Sequence, residues 1–291
     1  QHVSKYRYFF FFFLMYKRRL IEKRFLSAAR HFKVVLIVGA RQVGKSTLLR
    51  HLFPELPIVT FNPITDVHNA RTDPGLFLKK FDGPVILDEI QFAPELLAYI
   101  KIQVDEKPDK GQFFLTGSQN LSMLKSVAES MAGRVAVIEL SPMTVYELND
   151  CADRHWLSAY LNSPESLVSA RTLILPGARL QSAVWRGGFP ALWTMLDDEV
   201  ATYFDSYLKT YVDRDIRTQS NIEQLVKFES FLAILAALSS EEINYAELGR
   251  EIDAAGKTAQ RWLDLLYSTY IWRDVRPFLN NAIKRISRRG K

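Results

Sequence analysis

The sequence predicts an α/β fold in which a five-stranded parallel sheet carries helices on both faces, followed by a helical segment and a winged-helix unit. Three observations carry that expectation. Residues 33–50, KVVLIVGARQVGKSTLLR, run from an apolar β-branched stretch through a glycine turn into a helical pattern. Four more short apolar runs alternate with helical patterns as far as residue 141, an order that calls for parallel strands. From Ser141 to about Ser240 the alternation stops and only helical patterns remain.

The totals bound the answer. A chain of 291 residues, 48% hydrophobic and 24% charged, has the composition of a folded globular protein with room for one large domain or two ordinary ones. The single cysteine, Cys151, excludes an internal disulfide and fits a reducing, cytoplasmic setting. With only five histidines, Cys151 and His155 make a poor start for a zinc site. The net charge of +6 sits at the ends: residues 1–24 carry +6 and residues 284–291 carry +5, so the body between them is −5. Whole-chain charge is therefore weak evidence for nucleic-acid binding.

At the N-terminus, Tyr8 to Met15 (YFFFFFLM) is an apolar block between basic flanks. It falls short of the roughly 20 apolar residues a membrane span needs, and no small-residue cleavage site follows it. No stable membrane insertion is expected. Residues 1–14 read as a non-native or read-through leader, with the native start at Met15. Ile21, Phe25, Ala28 and Phe32 then follow helical spacing, an amphipathic helix leading into the first strand.

Residues 33–38 are the first strand. Gly39, Ala40, Arg41, Gln42, Val43, Gly44, Lys45, Ser46 and Thr47 match G-x-x-x-x-G-K-[ST], and strand, glycine loop and helix together form a phosphate cradle. Gly39 and Gly44 permit the tight curl that turns backbone N–H groups inward. The following helix adds the positive end of its dipole. Lys45 supplies a mobile charge for the β- and γ-phosphates, and the Ser46 hydroxyl is a Mg²⁺ ligand. Residues 57–61 (PIVTF) are a second strand, ended by Asn62-Pro63, and residues 64–82 read as polar and mixed.

Val85-Ile86-Leu87-Asp88-Glu89 is the third strand, with two carboxylates at its C-terminal end, where α/β sheets bind ligands. Asp88 would hold Mg²⁺, directly or through water, and Glu89 would orient and deprotonate the attacking water. A helix from Pro94 to about Val104 precedes the fourth strand, residues 112–116. Ser118, with Asn120 behind it, is a candidate contact for the γ-phosphate; a turn followed by a helix N-cap is the alternative. Arg134 lies between a helix and the fifth strand, Val135 to Leu140. It stands either as an arginine finger reaching a neighbouring subunit's nucleotide, which would imply a homo-oligomer, or as a basic residue serving the helix dipole.

Helices are expected over 143–162, 178–186 and 198–238, a helical lid in which Arg186 and Arg214 read as surface or ion-paired arginines. Tyr245 to Ile252, a turn at 253–256, Lys257 to Tyr270 and an extended 271–278 suggest a winged helix-turn-helix. Lys257, Thr258, Gln260 and Arg261 fall on its second helix. Because the unit carries a net −2 and phosphate contacts dominate nucleic-acid affinity, DNA and a protein remain equal candidates as its partner. The division expected is a leader (1–14), a nucleotide-binding core (15–141), a lid (142–240), a winged helix (241–279) and a basic tail (280–291).

The motifs GARQVGKSTLL, LDEIQ, LTGSQNLSMLKSVAESMAGRV, SPMTVYEL, GGFPAL and YLKTYVDRDIR together resemble a family of prokaryotic AAA+-type P-loop ATPases. These join an ATPase core, a helical lid, a winged helix and a C-terminal restriction-nuclease-like domain of unknown function. The resemblance implies ATP rather than GTP, Gly44, Lys45 and Ser46 on phosphates and Mg²⁺, the Asp88-Glu89 acid pair, and a first strand flanked by the fourth. It departs at Asn62-Pro63, where the family carries an acid. It also implies that the chain stops where the last domain would begin. The activity expected is ATP hydrolysis that drives or reports a conformational change; the alternative is a nucleotide-sensing module with little turnover. A small-molecule kinase would need an acceptor site, for which the sequence offers no pattern.

Overall fold

The computed structural model describes residues 16–61, 67–117, 127, 131–151, 160–165, 177–211 and 225–275. The chain divides into two compact units, Gln1–Ala201 and Thr202–Lys291.

In the first unit, helix α1 (Glu22–His31) leads into β1 (Val34–Val38), followed by α2 (Lys45–Leu52), β2 (Ile58–Thr60), α3 (Val67–Thr72), α4 (Pro74–Leu78), β3 (Val85–Asp88), α5 (Leu96–Glu106), β4 (Phe113–Gly117) and β5 (Val135–Glu139). The five strands are parallel in the order β2-β3-β4-β1-β5. All five residues of β1 are buried, as a central strand covered on both faces must be. The register sets Val34 opposite both Phe113 and Val135, and Val38 opposite both Gly117 and Glu139. Because the strands run the same way, the C-terminal ends of β1, β3 and β4 share one edge of the sheet. That edge positions the site.

Helix α1 docks through Phe25, which is fully buried and lies 6.0 Å from Phe114 of β4 and 6.2 Å from Phe53 beyond α2, ring to ring. The amphipathic spacing of the sequence is thus realised as packing on the sheet. The expectation for 64–82 needs correction. Within it lie α3 and α4, and Ala70, Phe77 and Leu78 are buried. Asp73 caps α4 by accepting from the Leu76 N–H, and Pro74 opens that helix. These two short helices have too few turns for a periodic pattern. The helix expected over 143–162 is broken at residues 149–151; residues 160–162 are helical again, and 152–159 lie outside the described residues. Helix α6 (Val145–Leu148) is a single turn closed by a Thr144–Glu147 capping box, and Asp150 takes φ 57°. Helix α7 (Gly177–Arg186) follows.

Helix α8 (Asp197–Tyr211) precedes the three helices of the second unit's core, α9 (Leu225–Ala237), α10 (Tyr245–Glu251) and α11 (Gly256–Ser268). Phe228 and Phe231 of α9 each meet Trp262 of α11 edge to face at 5.4 Å, with Leu248, Leu263 and Leu266 completing a closed apolar cluster. The turn between α10 and α11 is so tight that a Cβ on Gly249 would stand 2.7 Å from the Ala254 carbonyl oxygen. This is the helix pair the sequence predicts. No wing strand is present among the described residues, and residues 276–278 lie outside them. Among the described residues no helix is long and apolar enough to cross a membrane.

Candidate functional site

The loop after β1 is held by backbone conformations that few residue types accept. Gly39 takes φ 151°, and a Cβ there would lie 2.3 Å from the Leu140 carbonyl oxygen. Gly44 takes φ 94° and hands the chain to α2, whose first residue is Lys45. The Lys45 side chain is buried, and its Nζ donates to the Gly39 and Ala40 carbonyl oxygens at 2.9 and 2.8 Å. The ammonium thus lies across the loop's own backbone, where a triphosphate in the cradle would compete for it. Val43 is fully buried, so only its backbone is available to a ligand, whereas Gln42 and Thr47 are exposed.

Across the same edge, the nearly buried Asp88 carboxylate collects three hydroxyls. Its Oδ1 accepts from Ser46 Oγ at 2.7 Å and Thr116 Oγ1 at 2.6 Å, and its Oδ2 accepts from Thr60 Oγ1 at 3.2 Å. The Ser46 and Asp88 oxygens together suit a hard divalent cation. Glu89 sits just past the strand in the left-handed region, φ 59° and ψ 47°. For a non-glycine residue this costs on the order of 1–3 kcal/mol, and such strain gathers at functional sites. Its N–H donates to Thr116 Oγ1 at 2.9 Å, and its carboxylate accepts from Gln91 Nε2. Thr116, wholly buried on β4, therefore ties both acids together. The sequence had shown Thr116 only as the last residue of a strand.

Residues 31–149 match the family described as an AAA domain, and residues 177–291 match a domain of unknown function, DUF8612. The chain carries an AAA-type P-loop ATPase domain. The Walker-type ATPase PABY2304 of Pyrococcus abyssi shares the fold, with a TM-score of 0.51 over 87% of this chain and 90% of that one, at 16% identity. Two relatives, the uncharacterized proteins Rv2008c of Mycobacterium tuberculosis and Mb2031c of Mycobacterium bovis, are each 30% identical over 278 residues. The match takes in 94% of this chain and 57% of theirs, so the chain spans little more than half the length of these relatives.

Within the AAA domain the remaining expected residues divide. Ser118, Asn120 and Asn62-Pro63 lie outside the described residues, as does Arg214 beyond it. Arg134 precedes β5 and so stands at the opposite edge of the sheet from Lys45 and Asp88. Its guanidinium donates to both carboxylate oxygens of Asp105, at 2.5 and 3.2 Å, and to the Ala132 carbonyl at 3.0 Å. Those hydrogen bonds, then the nearby positive charge, hold the Asp105 carboxyl below its ordinary pKa. Arg186 donates to the Leu192 and Met195 carbonyls and to Asp197, the structural use the sequence favoured. Cys151 donates weakly to the Asn149 carbonyl at 3.2 Å, and among the described residues no cluster of histidine, cysteine and acidic side chains could hold a metal.

Two further residues of the first unit had no distinguishing pattern in the sequence. Arg19 and Glu147 are 4% and 3% exposed and pair with each other beneath the phosphate loop. Arg19 was legible only within the positive charge of residues 1–24, and Glu147 only as part of SPMTVYEL.

Proposed function

We propose that this protein binds ATP with Mg²⁺ and hydrolyses it to ADP and phosphate, and that turnover drives or reports a conformational change. The observation that supports this best is the 2.7 Å hydrogen bond from Ser46 Oγ to Asp88 Oδ1. It joins the phosphate loop to the strand-end acid across one sheet edge, with Glu89 next in the chain.

The residues fit the groups the reading requires. Gly39 and Gly44 keep the cradle clear of Cβ atoms, and α2 begins at its floor. Ser46 and Asp88 would hold Mg²⁺, which supplies charge neutralisation for the β- and γ-phosphates when bound. Lys45 leaves the Gly39 and Ala40 carbonyls for the phosphate oxygens, a stronger charge-assisted partner. Glu89 accepts a proton from the attacking water, while Thr116 fixes its backbone and Gln91 its carboxylate. Ser118 contacts the γ-phosphate at the β4 exit. Arg134 exchanges Asp105 for a neighbouring subunit's nucleotide, which makes the active form a homo-oligomer. The α10–α11 pair belongs to a winged helix that engages DNA or a protein, and the site of action is the cytoplasm.

Steady-state phosphate release tests the core of this reading on the parent chain, Lys45→Ala and Glu89→Gln. The expected result is turnover by the parent, loss of ATP binding in Lys45→Ala, and ATP binding without release in Glu89→Gln. A parent chain that binds ATP yet releases no phosphate, with or without DNA, would sink the hydrolase reading and leave a nucleotide sensor.

A further inference from the structure

The Arg19 guanidinium lies beneath the phosphate loop with its fork fully directed. Nη1 donates to the Val43 carbonyl oxygen at 2.8 Å, Nη2 to the Ser141 carbonyl oxygen at 2.6 Å, and Nε to Glu147 Oε1 at 3.2 Å. Glu147 is held in turn: Oε1 also accepts the Leu20 N–H at 2.7 Å, and Oε2 accepts the Thr144 N–H at 2.7 Å. The backbone leading into α1 is held apart from the fork, since the Arg19 N–H donates to Glu22 Oε1 at 2.6 Å and Tyr16 OH donates to the same oxygen at 2.7 Å. A buried ion pair contributes little net stability compared with well-packed apolar residues. Its directionality is what an apolar pair could not supply.

We infer that Arg19, braced by Glu147, is a positioning residue that aims the Gly44 N–H into the phosphate cradle. The physical link is the planar trans peptide between Val43 and Gly44, in which C=O and N–H point in opposite directions. Anchoring the Val43 oxygen downward on Arg19 turns the Gly44 N–H upward, into the hollow that faces a bound α- or β-phosphate. Gly44 at φ 94° has no side chain to restrain that peptide from flipping, so the restraint comes from outside the loop. The second arm, on Ser141, ties the same guanidinium to the chain leaving β5, whose Leu140 carbonyl closes over Gly39. One side chain therefore sets both ends of the loop. Lysine keeps the charge, but its donors all leave one nitrogen and cannot span three acceptors laid out around a planar fork.

This inference rests on the ATP-binding reading, and intact-chain calorimetry with steady-state kinetics separates the two. Arg19→Lys is expected to weaken ATP and ADP by the same factor, about tenfold or more, because both nucleotides share the phosphates that the backbone donors hold. Its KM for ATP should rise in step while kcat stays within about threefold, the pattern of lost ground-state binding. Tyr16→Phe, which loosens the same segment but leaves the fork intact, should lower the nucleotide-free melting temperature and leave both affinities unchanged. Parent-like ATP affinity in Arg19→Lys, or an equal loss in Tyr16→Phe, overturns the assignment. Should Arg19→Lys fail to fold, amide exchange in the parent decides: ATP must protect the Gly44 N–H, and an unprotected amide overturns the assignment. A parent that binds no ATP sinks both readings together.

Discussion

At Glu89 the backbone and the proposed chemistry pull in opposite directions. The residue occupies the left-handed region at φ 59°, where a glycine would rest without strain. Glu89→Gly should therefore raise the urea midpoint by the equivalent of about 1 kcal/mol while abolishing phosphate release. Equilibrium unfolding and a phosphate assay on the same preparation check both halves. If the substitution destabilises the chain, the lost Gln91 contact and the greater backbone freedom of glycine in the unfolded chain outweigh the strain. Gly39 presents the reverse case, since its Cβ-free surface against Leu140 leaves no room for any other residue.

Among the elements, α1 has the least obvious part. It lies outside the sheet and contributes no ligand-facing group, yet it carries the buried Phe25 and follows directly on Arg19. Phe25 closes an aromatic cluster with Phe53 and Phe114, the latter two stacked at 4.3 Å. Phe25→Ala should cost about 3–5 kcal/mol by cavity formation and lost contact. Because α1 anchors the segment that holds Arg19, ATP affinity should fall along with stability. Denaturant titration paired with calorimetry checks this, and an unchanged ATP affinity in the folded variant would uncouple α1 from the loop. The short helices α3 and α4 matter less to the site, but α4 buries Phe77 and Leu78, and Phe77 packs on Phe61 just past β2 with ring centroids 5.9 Å apart.

For the whole molecule, the two compact units each possess their own apolar core. The groups proposed to hold the nucleotide, namely the loop, Asp88 and Glu89, all belong to the first unit. Differential scanning calorimetry should therefore resolve two transitions, of which ATP with Mg²⁺ raises only one, by about 2.7 kcal/mol at a hundredfold excess over Kd. The Lys45→Ala chain should show the same two transitions with no shift. A single transition would mean that the units unfold as one cooperative body. Net charge works at this scale as well, with basic ends around an acidic middle, so salt sensitivity measured on the full chain reports the ends more than the site.

Local sequence was enough to determine the frame of this protein. The glycine loop, the paired acids and the five apolar runs are contiguous patterns, and each follows from a local demand: a positive φ, a strand period, or a charge at a strand end. Their edge of the sheet was legible because parallel strands leave little choice. Tertiary structure decided which distant residues serve that edge. Thr60 and Thr116 reach Asp88 from separate strands, Arg134 turns to Asp105, and Arg19 meets Glu147 across more than a hundred residues of chain. A threonine ending a strand, or an arginine in a basic run, carries no local mark of such a partner. Only when β1 is sandwiched between β4 and β5 does the space beneath the loop exist, and a buried guanidinium then has three acceptors within reach.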